Sequence, residues 1–121
     1  MQTAPIDERD VGEVAARLLK TGPRGGDYVL TGPEAISQAS QVRVIGEVLG
    51  RAIEFVDLSP DQFQQETAQS WPAPVVDMLL NAWAAAIGQP AFVTSTVAAI
   101  TGAAPRTFAE WATDYASDFL A

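Results

Sequence analysis

The chain has 121 residues, of which 48% are hydrophobic and 18% are charged, and its net charge at pH 7 is −8. This length suits a single domain over residues 1–121, and an acidic surface without a basic stripe argues against nucleic acid or an anionic membrane as a partner. The chain contains neither cysteine nor histidine, which excludes disulfides, thiol chemistry and a Ser-His-Asp site. We therefore predict no metal.

The first half of the chain predicts one helix and then a strand–helix–strand unit. Residues 8–20 form the helix because Asp7 is a good N-cap and apolar residues recur at helical spacing from residue 11 to residue 19. Residues 27–31 and 52–57 have the character of short strands. Ser37 caps the helix between them, which ends at Gly50. Because the loops are short, we predict a right-handed crossover and a parallel strand pair.

The second half predicts four further helices. A capping box at residues 59–62 opens a helix that reaches about residue 69, and Pro74 opens the next after a Ser-Trp-Pro break. A short helix follows over residues 94–101, and a second capping box at Thr107 opens the last helix, which runs to about residue 119. The predicted fold class is α+β and mostly helical, with a short two-stranded parallel β-α-β unit packed with about five to six helices.

The glycines do not form a dinucleotide-binding loop, which requires Gly-x-Gly-x-x-Gly between a strand and a helix. Gly25 and Gly26 precede a strand, and Pro33 removes a backbone N–H beside Gly32. The single lysine, Lys20, lies near a helix end, so neither a Walker motif nor a Tyr-x-x-x-Lys proton relay is present. We therefore predict no cofactor and no NAD(P)-dependent oxidoreductase activity for the chain by itself.

Acid–base chemistry is left to carboxylates and tyrosine. If the chain is an enzyme, the candidate catalytic residues are Asp57, Glu66 and Asp77, which lie in or near the central region, and Tyr28, whose hydroxyl could reach a pocket. For each of the three carboxylates, an ordinary solvated position on the surface is the alternative. For the tyrosine, the alternative is a structural role in its strand.

Large apolar residues mark the helices between residues 63 and 92. Trp71 lies in the break between two helices, where it either plugs the core or lines a cavity. Trp83 lies on an apolar helical stripe that suits a core, whereas Met78 lies off that stripe. The candidate ligand-binding residues are Trp71, Met78, Trp83 and Phe92.

Four segments, in order, resemble the NmrA-like family of atypical short-chain dehydrogenases. Residues 6–15 are similar to the family's ID.RDVA.VA helix, and residues 28–35 to its Y.LTGPEA strand and turn. Residues 49–57 resemble its LGR helix end and the next strand, and residues 97–108 its closing V..ITG..PRTF segment. The resemblance implies the C-terminal, substrate-facing part of the family without the Rossmann part, and places the substrate-pocket walls at about residues 63–92.

This resemblance implies a cofactor-free domain, derived from an NmrA-like protein, that binds a small apolar or aromatic molecule or a partner protein. Two alternatives stay open: a small cofactor-independent isomerase or cyclase of a bacterial biosynthetic pathway, and a subunit that completes a separate Rossmann chain. Since an exposed strand edge invites pairing with another chain, we expect a homodimer or a complex with a partner subunit. The lack of an apolar signal core or membrane-length run indicates a cytoplasmic protein.

Overall fold

A computed structural model describes residues 1–22 and 25–120, and helices form most of its regular structure. A pair of two-residue strands, β1 (Gln2–Thr3) and β2 (Ile36–Ser37), is antiparallel, with Gln2 opposite Ser37. The α+β, mostly helical class is therefore confirmed. The helices are α1 (Glu8–Thr21), α2 (Gln38–Leu49), α3 (Pro60–Thr67), α4 (Ala73–Ala86), α5 (Thr96–Thr101) and α6 (Phe108–Asp114), followed by a 3₁₀ helix at Ala116–Phe119.

The helix ends follow the local chemistry of the chain. The Asp7 side chain accepts a hydrogen bond from a backbone N–H in the first turn of α1, and Ser59 and Gln62 form a reciprocal capping box on α3. Helices α2 and α5 end at Gly50 and Gly102, which adopt left-handed conformations with φ of 67° and 73°. Glycine takes this conformation without the steric cost that a Cβ would add.

Two helix boundaries differ from the prediction for identifiable reasons. Helix α5 begins at Thr96 rather than at Thr94, with Ser95 as its N-cap residue, and Thr94 lies before the helix, where its N–H donates to the hydroxyl of Thr31. The last helix was predicted to reach residue 119, but α6 ends at Asp114. The chain then tightens into 3₁₀ geometry, a frequent way for a helix to end.

The parallel strand pair predicted at residues 27–31 and 52–57 is wrong. Both segments run without a turn or bend, but neither makes a backbone–backbone hydrogen bond within residues 1–22 and 25–120. A ladder needs backbone hydrogen bonds to a second strand in register, and no described segment supplies them to either of these two. The two-stranded sheet is instead the antiparallel β1–β2 pair, which lies outside the predicted strands.

The buried apolar core is small. Helix α1 packs against α5, α2 packs against α6 and the 3₁₀ helix, and α3 packs against α4. The buried hydrophobic residues of the described chain are four small side chains, Val14, Val76, Val97 and Ala112. None of the described helices is long and apolar enough to cross a membrane.

The accessible surface is larger than the chain length requires. It measures 8312 Å², whereas a compact monomer of this mass exposes roughly 6,300 Å² by the usual scaling. The exposed large apolar side chains fall mainly in three stretches that include both unpaired segments and the region of α4. These side chains are Tyr28, Val29, Ile53, Phe55, Val56, Leu58, Trp71, Val75, Met78, Ile87, Phe92 and Val93.

Candidate functional site

An aromatic cluster holds α3 and α4 together, and we call these helices with their connection the aromatic hairpin (residues 60–86). The Phe63 ring lies 6.2 Å from the Trp71 ring at 84°, and 5.3 Å from the Trp83 ring at 71°. Both pairs have the edge-to-face geometry that aromatic rings prefer, which contributes about 0.5–1.5 kcal/mol per pair beyond area burial. Two of the four predicted ligand-binding residues are therefore brought together.

Phe63 is the residue that sequence reasoning missed at this site. It directly follows the α3 capping box, and its carbonyl accepts a hydrogen bond of 2.7 Å from the Thr67 hydroxyl. The sequence signal that could have identified Phe63 is that it is the sole aromatic residue of α3. If α3 and α4 are to bury apolar surface between them, its side chain must face α4. Trp71 stays 44% exposed, so part of its ring is open to a ligand.

The other two predicted ligand-binding residues lie outside the ring cluster. Met78 is on α4 and is 61% exposed, and Phe92 follows α4 and is 70% exposed. The chain after α4 is nevertheless anchored. The Thr94 N–H donates to Thr31 Oγ1 at 2.9 Å, and Thr94 Oγ1 donates to the Val29 carbonyl at 2.9 Å. Phe92 is thus close in sequence to Thr94, which these hydrogen bonds fix to the unpaired 27–31 segment.

The four candidate catalytic residues do not converge on a cavity that the structure describes. Asp77 accepts a hydrogen bond of 3.4 Å from Gln64 Nε2, which links α4 to α3. Glu66 and Asp57 are exposed, and Tyr28 is 39% exposed. None of the four lines either of the two cavities described below.

The larger of these cavities is a cleft of about 500 Å³ between α2 and the segment that follows it. It exists because Gly46 lets the chain return closely across α2: a Cβ there would lie 2.7 Å from the Arg51 carbonyl oxygen. The walls are mainly apolar. They are formed by Ala39, Val42, Arg43, Gly46, Glu47, Gly50, Arg51, Ala52, Ile53 and Phe55. Sequence reasoning did not foresee this cleft, although residues 52–57 were predicted as a strand.

A network of ion pairs joins α1 to the start of α6. Asp10 is 2% exposed and accepts hydrogen bonds from the backbone N–H of Arg106 at 2.8 Å and from its Nη1 at 2.6 Å. Arg106 Nη2 also donates to Glu13 at 2.9 Å. The described residues leave no buried side-chain nitrogen or oxygen without a partner. The network therefore positions α1 rather than offering a reactive group.

A second arginine, Arg9, adds further ion pairs beside this network. Arg9 donates to both carboxylate oxygens of Asp7 and pairs with Asp114 at 2.8 Å. The Arg9 side chain lowers the pKa of Asp7 below its ordinary value, and burial of the carboxyl acts in the opposite direction. The ionised carboxylate is therefore the form that Arg9 stabilises.

The second cavity, of about 220 Å³, lies beside this network and is lined by residues 5–8 together with Arg106, Thr107, Phe108 and Trp111. Glu8 accepts a hydrogen bond of 3.1 Å from Trp111 Nε1. The pKa of Glu8 is lowered, first by its own backbone N–H and then by the Tyr115 hydroxyl, whose own pKa is raised by this carboxylate. Among the described residues, no group of three or more His, Cys, Asp or Glu side chains is placed to hold a metal.

The chain is similar to parts of three oxidoreductases. It is 36% identical over 118 residues to a (4-alkanoyl-5-oxo-2,5-dihydrofuran-3-yl)methyl phosphate reductase of Streptomyces griseus. It is 35% identical over 115 residues to the uncharacterized oxidoreductase YesF of Bacillus subtilis, and 34% identical over 119 residues to an NAD(P)H azoreductase of Xenophilus azovorans. The chain matches no protein-family model.

These similarities cover most of this chain but less than half of each relative. They extend over 96%, 93% and 94% of this chain but over 42%, 40% and 41% of the respective relatives. The chain therefore spans about two fifths of the length of the relatives that it matches. It is related to a stretch of larger oxidoreductases.

Proposed function

We propose that this chain is the substrate-side domain of an NmrA-like oxidoreductase and that it works against a dinucleotide-binding domain. The observation that carries the proposal is the state of residues 27–31 and 52–58. Both segments run straight, make no backbone–backbone hydrogen bond in the described chain, and expose Val29 and Val56 by 53% and 62%. Strand-like segments of this kind are typical of a sheet whose remaining strands are supplied from elsewhere.

The exposed area supports the same proposal independently. The excess of about 2,000 Å² over a compact monomer is more than one partner contributes to a standard interface and matches a permanent one. Such interfaces are mainly apolar, as are the exposed side chains of the two segments. The four buried apolar residues give the chain a thin core, so association with a partner adds the burial that the domain by itself does not reach.

A dinucleotide does not fit the residues of this chain. Within residues 1–22 and 25–120, no glycine-rich loop connects a strand to a helix, and the glycines at 25 and 26 come before a segment without helical structure. We therefore assign cofactor binding to the partner domain and derive no chemical step from this chain. Its own contribution is to bind and orient a substrate.

The substrate class that we propose is a small, flat, unsaturated organic molecule, bound at the aromatic hairpin. The exposed part of Trp71 and the side chain of Phe92 offer the apolar and aromatic surface on which such a ligand stacks. Two relatives are named for unsaturated compounds, an azo compound and a (4-alkanoyl-5-oxo-2,5-dihydrofuran-3-yl)methyl phosphate, the second of which also carries a phosphate group. The anchoring of residue 94 to the 27–31 segment would couple the hairpin to the partner domain.

Reconstitution tests this proposal. The chain is co-expressed with the stretch of the Streptomyces reductase that it does not match, and the two are separated by size-exclusion chromatography. We expect a one-to-one complex, and NADPH-dependent reduction of an azo dye such as methyl red that neither part shows separately. A chain that stays monomeric beside its partner, without a change in its thermal unfolding, would contradict the proposal.

A further inference from the structure

Residues 52–58 are open along their whole backbone, and we call them the open segment. None of their N–H or C=O groups takes part in a backbone–backbone hydrogen bond within the described chain. On either side, Arg51 N–H donates to the Gly46 carbonyl at 2.9 Å, and Ser59 N–H donates to Gln62 at 2.8 Å. The open segment is therefore fixed at both ends while its centre presents a row of unpaired donors and acceptors, which is the template for strand addition.

The cleft beside the open segment has space for the side chains of another strand. Ile53 and Phe55, two residues apart, line the cleft of about 500 Å³ against α2. They are nevertheless 44% and 41% exposed, so the chain itself does not fill the space that they face. Because side chains of neighbouring strands lie about 5 Å apart on one face of a sheet, an added strand would place its apolar residues directly beside these two.

Charge indicates what kind of strand fits. The open segment carries Glu54 and Asp57, and the whole chain has a net charge of −8. Glu54 lies on the face away from the cleft, because side chains alternate and Ile53 and Phe55 face the cleft. If a second copy paired antiparallel about Phe55, Glu54 would oppose the apolar side chain of Val56. A strand with a lysine or arginine opposite Glu54 instead gives an opposite-charge pair, which stabilises cross-strand neighbours.

We propose that a β-strand of the partner domain, apolar on one face and basic on the other, adds to residues 52–58 and fills the cleft against α2. The partner is the one required by the proposed function, on which this inference rests, but the binding mode is separate from it. Backbone hydrogen bonds supply affinity, and the apolar residues beside Ile53 and Phe55 supply register. In this proposal the cleft binds a segment of the partner protein, whereas the small-molecule ligand binds at the aromatic hairpin.

The experiment measures amide hydrogen exchange in the open segment. The chain is mixed either with the unmatched stretch of the Streptomyces reductase or with the peptide acetyl-Lys-Val-Lys-Val-Lys-Val-amide. We expect at least tenfold slower exchange at alternate amides of residues 52–58 with both, and no slowing with a peptide that has glutamate in place of lysine. Slowing by the glutamate peptide as strong as by the lysine peptide would overturn the basic-strand assignment.

Proline variants identify which edge of the open segment pairs with the added strand. Adjacent amides of a strand point to opposite edges, so Val56→Pro and Asp57→Pro each remove a donor from a different edge. One of the two is expected to weaken peptide binding at least tenfold and the other to leave it within threefold. Val56→Thr keeps the N–H and is the control, which should bind as the parent chain does.

The outcomes separate the two proposals. A complex with the reductase stretch without protection of residues 52–58, or full binding by both proline variants, overturns this inference and leaves the proposed function standing. Protection by the lysine peptide without any complex with the reductase stretch supports the inference and counts against the proposed function. Protection by neither probe overturns the strand addition. Dimerisation in light scattering that Val56→Pro or Asp57→Pro abolishes would make a second copy the occupant and also overturn it.

Discussion

The buried contact between Asp10 and Arg106 allows a quantitative prediction about how α1 is held. Asp10→Asn keeps the size of the side chain and one acceptor oxygen, but it removes the charge and turns an amide NH₂ toward the guanidinium. Asp10 is 2% exposed and accepts two hydrogen bonds, at 2.8 and 2.6 Å. Since a hydrogen bond to a charged group contributes about 1.5–3 kcal/mol, we expect a loss of about 2–3 kcal/mol in the free energy of unfolding.

The assay is urea unfolding followed by circular dichroism at pH 7, supported by thermal melts. A loss of this size lowers Tm by roughly 8–15 °C in a domain of this length. The matched control is Glu13→Gln, because Glu13 binds the same guanidinium at 2.9 Å but its side chain is 50% exposed. An exposed pair contributes about 0–1 kcal/mol. Equal losses in the two variants, or a loss below about 1 kcal/mol for Asp10→Asn, would refute the argument that burial sets the strength of this contact.

Three further predictions test other parts of the structure. The pKa of Asp7 is lowered in the folded state, mainly by Arg9, so its ionised form adds stability above the ordinary value of 3.8, and this stability is lost as pH falls through the lower folded value. The difference in unfolding free energy between parent and Asp7→Asn should therefore shrink from pH 6 to pH 3, and a constant difference in urea titrations would contradict this. Gly12→Ala, where a Cβ meets nothing within 4 Å, should stabilise α1 by about 0.5–1 kcal/mol, whereas Gly46→Ala, whose Cβ meets a backbone carbonyl at 2.7 Å, should destabilise the chain by about 1–3 kcal/mol. Melts of both variants decide this, and the same sign for both would refute it. Trp71→Ala should weaken binding of methyl red to the reconstituted complex about tenfold, as measured by fluorescence quenching, because roughly 1–2 kcal/mol of stacking is lost. Unchanged affinity would remove the aromatic hairpin from the ligand site.

The helices and their ends were predictable because the interactions that form them are local. A cap and the N–H groups that it binds are two or three residues apart, as Asp7 and Ser59 show, and an apolar stripe repeats every three or four residues. The glycine ends of α2 and α5 follow from the same short-range geometry. The sequence likewise identified Trp71 and Trp83 as residues of interest, although it could not choose between core and pocket.

What the sequence determined by itself was thus which segments are helical, which residues cap several of them, and which chemistry the chain lacks the residues for. Only the tertiary structure decided the pairing of distant groups. Asp10 and Arg106 are 96 residues apart, and Thr94 reaches Val29 across 65. The tertiary structure also decided that residues 27–31 and 52–57 form no ladder. Their composition suits a strand, but a ladder needs a neighbouring strand in register. The physical reason is that a helix completes its hydrogen bonds within its own segment, whereas a strand completes them with another segment, and no segment of the described chain does so for these two.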